Sequence, residues 1–307
     1  MSQKPYHSKN LDDIRKKIDS LDTKIHETLM ERAELVLQIG EEKRKNNIEI
    51  VQPAREARMI RRLLARHRGK LPEMAVVRIW RELVGAVSLL QTGLKVIVAE
   101  EESNLAYWDL AKDYFGSCLP MTRTESPFSA IKAVQEGRAT FAVLPYPQGI
   151  TLETDEERWW ELLTKNEDSP LSIIVRLPHG EDPEEKNPDD KALVVSKTGF
   201  DSSDDDHSYL FVECLSSVSR ARIIDVMKEN DIEPLALTSK PDTGETRHHL
   251  LEVEGYIRDD SEKIDAIAEG LGENSIVRCV GGYPVPPTYV KTVQSPGEKI
   301  PKAPKAD

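Results

Sequence analysis

From Leu11 to Lys45 the chain runs without a proline and with a single glycine, Gly40, and this stretch limits what can fold around it. Its apolar residues Leu11, Ile14, Ile18, Leu21 and Ile25 recur at steps of three and four, the period of one helix face, with Ser8 or Asn10 placed to cap the start. Thirty-five helical residues span about 50 Å, longer than a compact domain of roughly 90 residues can cover. The helical part is therefore expected to be an intertwined dimer. Continued past Leu29, the same spacing selects Arg32, Val36, Ile39 and Lys43, so two cations fall where apolar residues belong. Eleven residues return the helix to nearly the same angle, placing Arg32 and Lys43 on one face about 16 Å apart. One such residue reads as a snorkelling side chain; two on one seam, with no carboxylate of the seam between them, ask for an anionic ligand.

A second helix is expected over 53–67, with Pro53 at its first position and Arg55 and Glu56 in its first turn. A third runs from Pro72 to about Thr92, with Val76, Trp80, Leu83, Val87 and Gln91 on one face and Gln91 polar where a Leu is expected. Charge separates this part from the rest. Residues 1–92 hold 19 Lys and Arg against 13 Asp and Glu, a balance of +6, whereas the remainder carries −18 of a chain whose net charge is −12. The acidic total gives no expectation of nucleic-acid or anionic-membrane binding, while the basic part is suited to a small anion. No apolar run reaches the roughly 18 residues of a membrane span, and the N-terminus lacks a signal-peptide core, so a cytoplasmic protein is expected. Cys118, Cys214 and Cys279 form no CxxC pair and read as reduced structural thiols; neither a disulfide framework nor a zinc site is expected.

The segment IRKKIDSLDTKIHETLMERAELVLQIGEEK, an Arg-Glu pair opening the second helix, and a third helix ending in Gln together resemble the all-helical class of chorismate mutases, over residues 11 to 92. The resemblance implies chorismate as substrate, an isomerase acting in aromatic amino acid (Phe/Tyr) biosynthesis, no cofactor, and a homodimer with shared active sites. It implies that Arg15 reaches the partner subunit's pocket to bind a carboxylate, and that Arg32 binds one in its own. Arg15 precedes Arg32 by 17 residues, about 260° around the helix, so both cannot line one pocket of one chain. By the same resemblance Lys43 binds a carboxylate and the ether oxygen, Gln91 donates to that oxygen, Glu56 holds the substrate hydroxyl, and Arg55 sits beside that cluster. Two positions depart from the family: Gln52 stands where an Asp is frequent, and Val87, with Ser88 next to it, where a small hydroxyl residue is usual.

Rearrangement of chorismate to prephenate breaks one C–O bond and forms one C–C bond within a single molecule. It needs no nucleophile, proton transfer or metal. Side chains can select the folded conformer by clamping two carboxylates, and can place donors where negative charge grows on the ether oxygen. Cations and an amide suit that task.

Residues 94–178 read as alternating strands and helices and resemble half of a prephenate dehydratase domain, the module that follows the mutase in bifunctional P-proteins. The family's Thr-Arg-Phe is replaced by Leu171-Ser172-Ile173 and its Glu-Asn-Ser by Pro145-Tyr146-Pro147-Gln148, so dehydratase activity is not expected. Residues 207–285 read strand, helix, strand, strand, helix, strand and resemble an ACT domain, with Ser239-Lys240-Pro241 where that family carries Ser-Arg-Pro. Its first helix opens with Ser219-Arg220-Ala221, which leaves no expectation of phenylalanine binding. The expected organisation is multi-domain: an all-α mutase domain over 1–93, a small α/β domain over 94–180, a linker over 181–206, an α+β ACT-like domain of βαββαβ order over 207–286, and a disordered tail over 287–307. DSSDDDH (201–207) reads as a solvated loop, since it lacks the glycine and terminal Glu of a calcium loop, and His248-His249 on a strand point to opposite faces. The rival readings are a bifunctional mutase-dehydratase and a non-catalytic sensor with a helical dimerisation domain.

Overall fold

A computed structural model describes residues 9–46, 51–100, 105–149, 156–165, 170–180, 191–240 and 244–288. Three helices open the chain: α1 (Lys9–Lys45), α2 (Pro53–Arg66) and α3 (Glu73–Thr92). A mixed α/β region follows: β1 (Val96–Ala99), α4 (Ala106–Phe115), β2 (Met121–Thr124), α5 (Pro127–Gln135), β3 (Phe141–Pro145), a 3₁₀ segment (Glu156–Thr164), β4 (Ser172–Leu177) and β5 (Ala192–Ser196). The last part is β6 (Asp206–Leu215), α6 (Arg220–Glu229), β7 (Pro234–Ser239), β8 (Thr246–Glu254), α7 (Glu262–Leu271) and β9 (Ile276–Pro284), the βαββαβ order read from the sequence. α5, α6 and α7 begin at serines that satisfy otherwise unpaired amides: Ser126 accepts from the Ser129 N–H, Ser219 from Arg222 and Ser261 from Lys263.

The strands form one nine-stranded sheet in the order β2-β1-β3-β5-β4-β9-β6-β8-β7. β2, β1 and β3 are parallel, β5 runs antiparallel between β3 and β4, β9 is parallel to β4, and the pairs β9–β6, β6–β8 and β8–β7 are antiparallel. The α/β region and the βαββαβ unit meet where Ile173 of β4 pairs with Gly281 of β9. A side chain at Gly281, whose φ is +109°, would put a Cβ 2.2 Å from the Ile173 carbonyl oxygen, so this seam needs glycine. Trp159, Trp160 and Leu144 fill the core with Ile131 and Val134 of α5, while Ile223, Val226 and Met227 of α6 and Ile267 of α7 fill a second one with β6 and β8.

Several expectations are corrected. The reach 181–206 is not a plain linker: β5 lies inside it, fully buried between two strands, and its brief ALVVS run was hidden between polar neighbours. Residues 181–190 of that reach, and the tail from 289 onward, lie outside the described residues. β2 was not foreseen because its MTRT sequence has an edge strand's half-exposed, polar character. Residues 201–207 are a built turn rather than a solvated loop. The buried Asp206 carboxylate accepts from the Ser203 N–H at 2.7 Å, the Ser203 hydroxyl at 2.5 Å and the Ser202 hydroxyl at 3.1 Å.

The chain divides into two compact units: residues 1–50 with 87–93, and residues 51–86 with 94–307. α2 and most of α3 thus belong with the sheet, a different line from the single helical domain read over 1–93. Arginines explain the attachment. Arg61 donates to the Ser203 carbonyl (2.8 Å) and hydroxyl (3.0 Å) and to the carbonyls of Asp205 (2.7 Å) and Val285 (2.9 Å). Arg58 donates to the Ser202 carbonyl at 3.0 Å, and Glu82 on α3 accepts from the Ser117 N–H at 2.9 Å.

Inside the second unit a buried carboxylate ties the strands together. Glu252 on β8 accepts from the hydroxyls of Tyr146, Tyr209 and Tyr283, with His207 Nδ1 3.2 Å from Oε1. Burial works to raise its pKa, but the hydrogen bonds from His207, Tyr146 and Tyr283 prevail and bring it down to about 2. A carboxyl held below its unfolded value of about 4.5 contributes stability above that pH and loses it as the pH falls toward 2. Glu252→Gln is expected to cost on the order of 3 kcal/mol at pH 7 and to flatten the fall in stability between pH 4.5 and 2, as read by urea unfolding at several pH values.

Candidate active site

In the first unit, α1 and the final turns of α3 meet at Gln91. Its side-chain Nε2 donates to the Val36 carbonyl at 2.5 Å. Opposite stands Gly40, buried in the α1 wall: a Cβ there would come within 2.8 Å of Gln91 Nε2 and 2.9 Å of its Cγ. The amide is thereby held in place by a carbonyl and by the absence of a side chain. Arg32, Val36, Gly40 and Lys43, spaced four, four and three apart, share this α1 face, and Arg32, Val36, Lys43 and Gln91 are all half-buried. The inward position is Gly40 rather than Ile39, which is 38% exposed, so the face is turned by one residue from the spacing read in the sequence. Val87 is buried, with Ser88 half-buried one place further along α3.

Arg15 is not part of this face. It is exposed on α1 and forms an i,i+3 ion pair with Asp12 at 3.6 Å, a contact of little energetic weight. Its α1 face is apolar and uncovered: Leu11, Ile14, Ile18, Leu21 and Ile25 are 39–57% exposed, a far larger apolar stripe than scattered surface residues make.

In the second unit, Gln52 occupies the N-cap position of α2 and makes no capping bond with its side chain, while Arg55 is exposed one turn in. Glu56 beside it is engaged. Arg81 of α3 donates to Glu56 Oε2 at 2.8 Å and, through its other amino group, lies 3.1 Å from Nε2 of His179, which follows β4. The Arg81 guanidinium also stands 4.3 Å from the centre of the Tyr114 ring on α4, and the residue is 2% exposed. Burial, then the charges of Arg81 and Arg61, hold His179 well below the usual imidazole range. The ring is neutral, so Nε2 is an acceptor for Arg81 and the proton is on Nδ1.

Arg81 escaped the sequence reading, although a signal existed. Val77, Arg81 and Gly85 are four apart, and Val77 and Gly85 are buried; this is another cation set in a buried helix face, the same pattern that selected Arg32 and Lys43 on α1. Among the described residues, no group of three or more His, Cys, Asp or Glu is arranged to hold a metal ion, and no helix is long and apolar enough to cross a membrane.

Two cations on one helix face, with a fixed amide donor beside that face, can bind a small polyanion and stabilise charge growing on an oxygen. The family model for chorismate mutase type II matches residues 14–92. A bifunctional chorismate mutase/prephenate dehydratase of Aquifex aeolicus is 31% identical over 144 residues, and its namesake from Pseudomonas aeruginosa is 27% identical over 137. These matches cover 46% and 43% of this chain and 40% and 37% of the relatives' own lengths. A prephenate dehydratase structure from Arthrobacter aurescens, in complex with L-Phe, superposes with a TM-score of 0.44 at 11% identity, over 62% of this chain and 90% of that one. The chain thus carries, at residues 14–92 and ahead of its mixed α/β region, a chorismate mutase type II domain.

Proposed function

We propose that the chain is a chorismate mutase, catalysing the intramolecular Claisen rearrangement of chorismate to prephenate in aromatic amino acid biosynthesis, and that it does so as a homodimer with shared sites. The observation that supports this reading is the Gln91 amide held against Val36 and Gly40 of α1, on the helix face that also carries Arg32 and Lys43, within a matched mutase domain. Arg32, with Arg15 from the partner subunit, clamps the two carboxylates and so selects the folded conformer. Lys43 and the second N–H of Gln91 meet the ether oxygen as its bond to carbon stretches, and Glu56 accepts from the substrate hydroxyl, with Arg55 and Gln52 at the edge of that group. Val87 leaves one carboxylate without the hydroxyl donor usual in the family, which weakens binding rather than the reaction itself. A helical mutase region over 1–93, an α/β part that performs no dehydration and an ACT-like part complete this reading.

The exposed stripe Leu11 to Ile25 supports the dimer, because a second copy of the same helix would cover it. The test is to follow chorismate absorbance with the purified chain and to assay phenylpyruvate before and after acid. Consumption with phenylpyruvate seen only after acid is expected; phenylpyruvate at neutral pH would establish the bifunctional reading instead, and unchanged chorismate would remove both.

Gly40 offers an independent check. Gly40→Ala favours the helix by about 1 kcal/mol but pushes its methyl into the Gln91 amide. The flexible end of Gln91 can yield, so melting temperature should hold or rise while turnover falls by roughly tenfold or more. Unchanged turnover would mean that the Gln91 position is irrelevant.

A further inference from the structure

We infer that Arg81 is a positioning residue for Glu56, and that through Arg81 the α/β region takes part in the mutase reaction. This rests on the role given to Glu56 above. A glutamate in the first turn of a helix ordinarily samples several rotamers, and a carboxylate that must accept from one substrate hydroxyl loses binding each time it turns away. Here one oxygen, Oε2, is taken by a guanidinium that is itself buried, which sets the direction of Oε1.

Arg81 is held from sides that do not belong to α2 or α3. His179, just past β4, accepts from one amino group, and Tyr114 of α4 presents its ring face to the guanidinium. α2 is fixed in turn by Arg61 and Arg58 on the 202–205 turn. The Nε of Arg81 is buried with no hydrogen-bond partner among the described residues, so the residue carries a stability penalty that an apolar side chain of similar size would avoid. A merely structural position has no need of it. The α/β region then has a task without any dehydration chemistry of its own: it supplies the acceptor and the ring that keep Arg81, and hence Glu56, aimed.

The experiment is a double-mutant cycle on the full chain, read as KM and kcat for chorismate. The hydroxyl keeps its own bonds through the step, so a contact to it stabilises ground and transition states alike, and losing that contact raises KM and spares kcat. Arg81→Met is expected to raise KM by about tenfold with kcat within about threefold, and the same substitution in a Glu56→Gln background to change KM by less than about twofold. His179→Phe, which keeps an aromatic ring against Tyr114 but removes the acceptor, should raise KM by about threefold. Arg81→Lys, a point charge that cannot bridge both partners, should fall between wild type and Arg81→Met. Equal KM effects in the two backgrounds, or a loss confined to kcat, would overturn the inference while leaving the mutase reading intact. A wild-type chain that does not consume chorismate would overturn both. Should Arg81→Met fail to fold, the cycle is run with His179→Phe and Arg81→Lys against Glu56→Gln, and additivity there is equally decisive.

Discussion

Lys43→Ala is expected to lower kcat for chorismate by at least about a hundredfold, the largest effect of any single substitution considered. The reason is where charge moves. As the C–O bond lengthens, negative charge develops on the ether oxygen, and a preorganised donor at that atom is worth about 3 to 4 kcal/mol, two decades of rate or more. Lys43 lies half-buried on the α1 face with Arg32, and Gln91 is fixed against that wall by Val36 and Gly40. A half-buried ammonium is screened less than an exposed one. Saturating-substrate kinetics check it. Lys43→Arg should not rescue, since the planar guanidinium delivers its donors in a fork rather than at a point. Near-normal turnover in Lys43→Ala would remove Lys43 from the ether oxygen and with it the proposed source of catalysis.

The second large effect should come from residues that touch no substrate. Leu21→Asp with Ile25→Asp is expected to yield a monomer by sedimentation and to reduce specific activity by roughly two decades. Both side chains are more than half exposed in the single chain, at 57% and 56%, and both lie on the stripe that a second copy would bury. Two carboxylates facing their symmetry mates in an apolar seam cannot be paired there. In the proposed dimer Arg15 serves the partner's site, since its α1 direction is about 260° around the helix from that of Arg32. Mixing inactive Arg15→Ala and Lys43→Ala chains should therefore restore about one quarter of wild-type activity, half of the random dimers having one intact site. A double-aspartate variant that remains active as a monomer would show that each chain holds a whole site.

The helices could be read from the sequence because their signals are periodic and long. The α1 stripe, the Pro53 start of α2 and the Gln91 end of α3 come directly from spacing, and the odd cations Arg32 and Lys43 stand out against it. The family motif supplied their roles, which spacing alone does not. The strands missed were short or hidden: β2 is polar, and β5 sits between two acidic segments whose composition outweighed four apolar residues. The single sheet was not legible either, since the β4–β9 join depends on a close approach at Gly281 that no local pattern announces. Arg81 was missed for a different reason. Its partners Glu56, Tyr114 and His179 lie 25, 33 and 98 residues away in sequence, and only folding shows that one guanidinium can serve all of them.

Proton NMR of chorismate incubated with the purified full chain at neutral pH puts the central claim to its most direct test. The account predicts that the chorismate resonances give way to those of prephenate alone, at a rate far above the uncatalysed one and proportional to dimer. Chorismate spectra unchanged beyond the uncatalysed rate would contradict it.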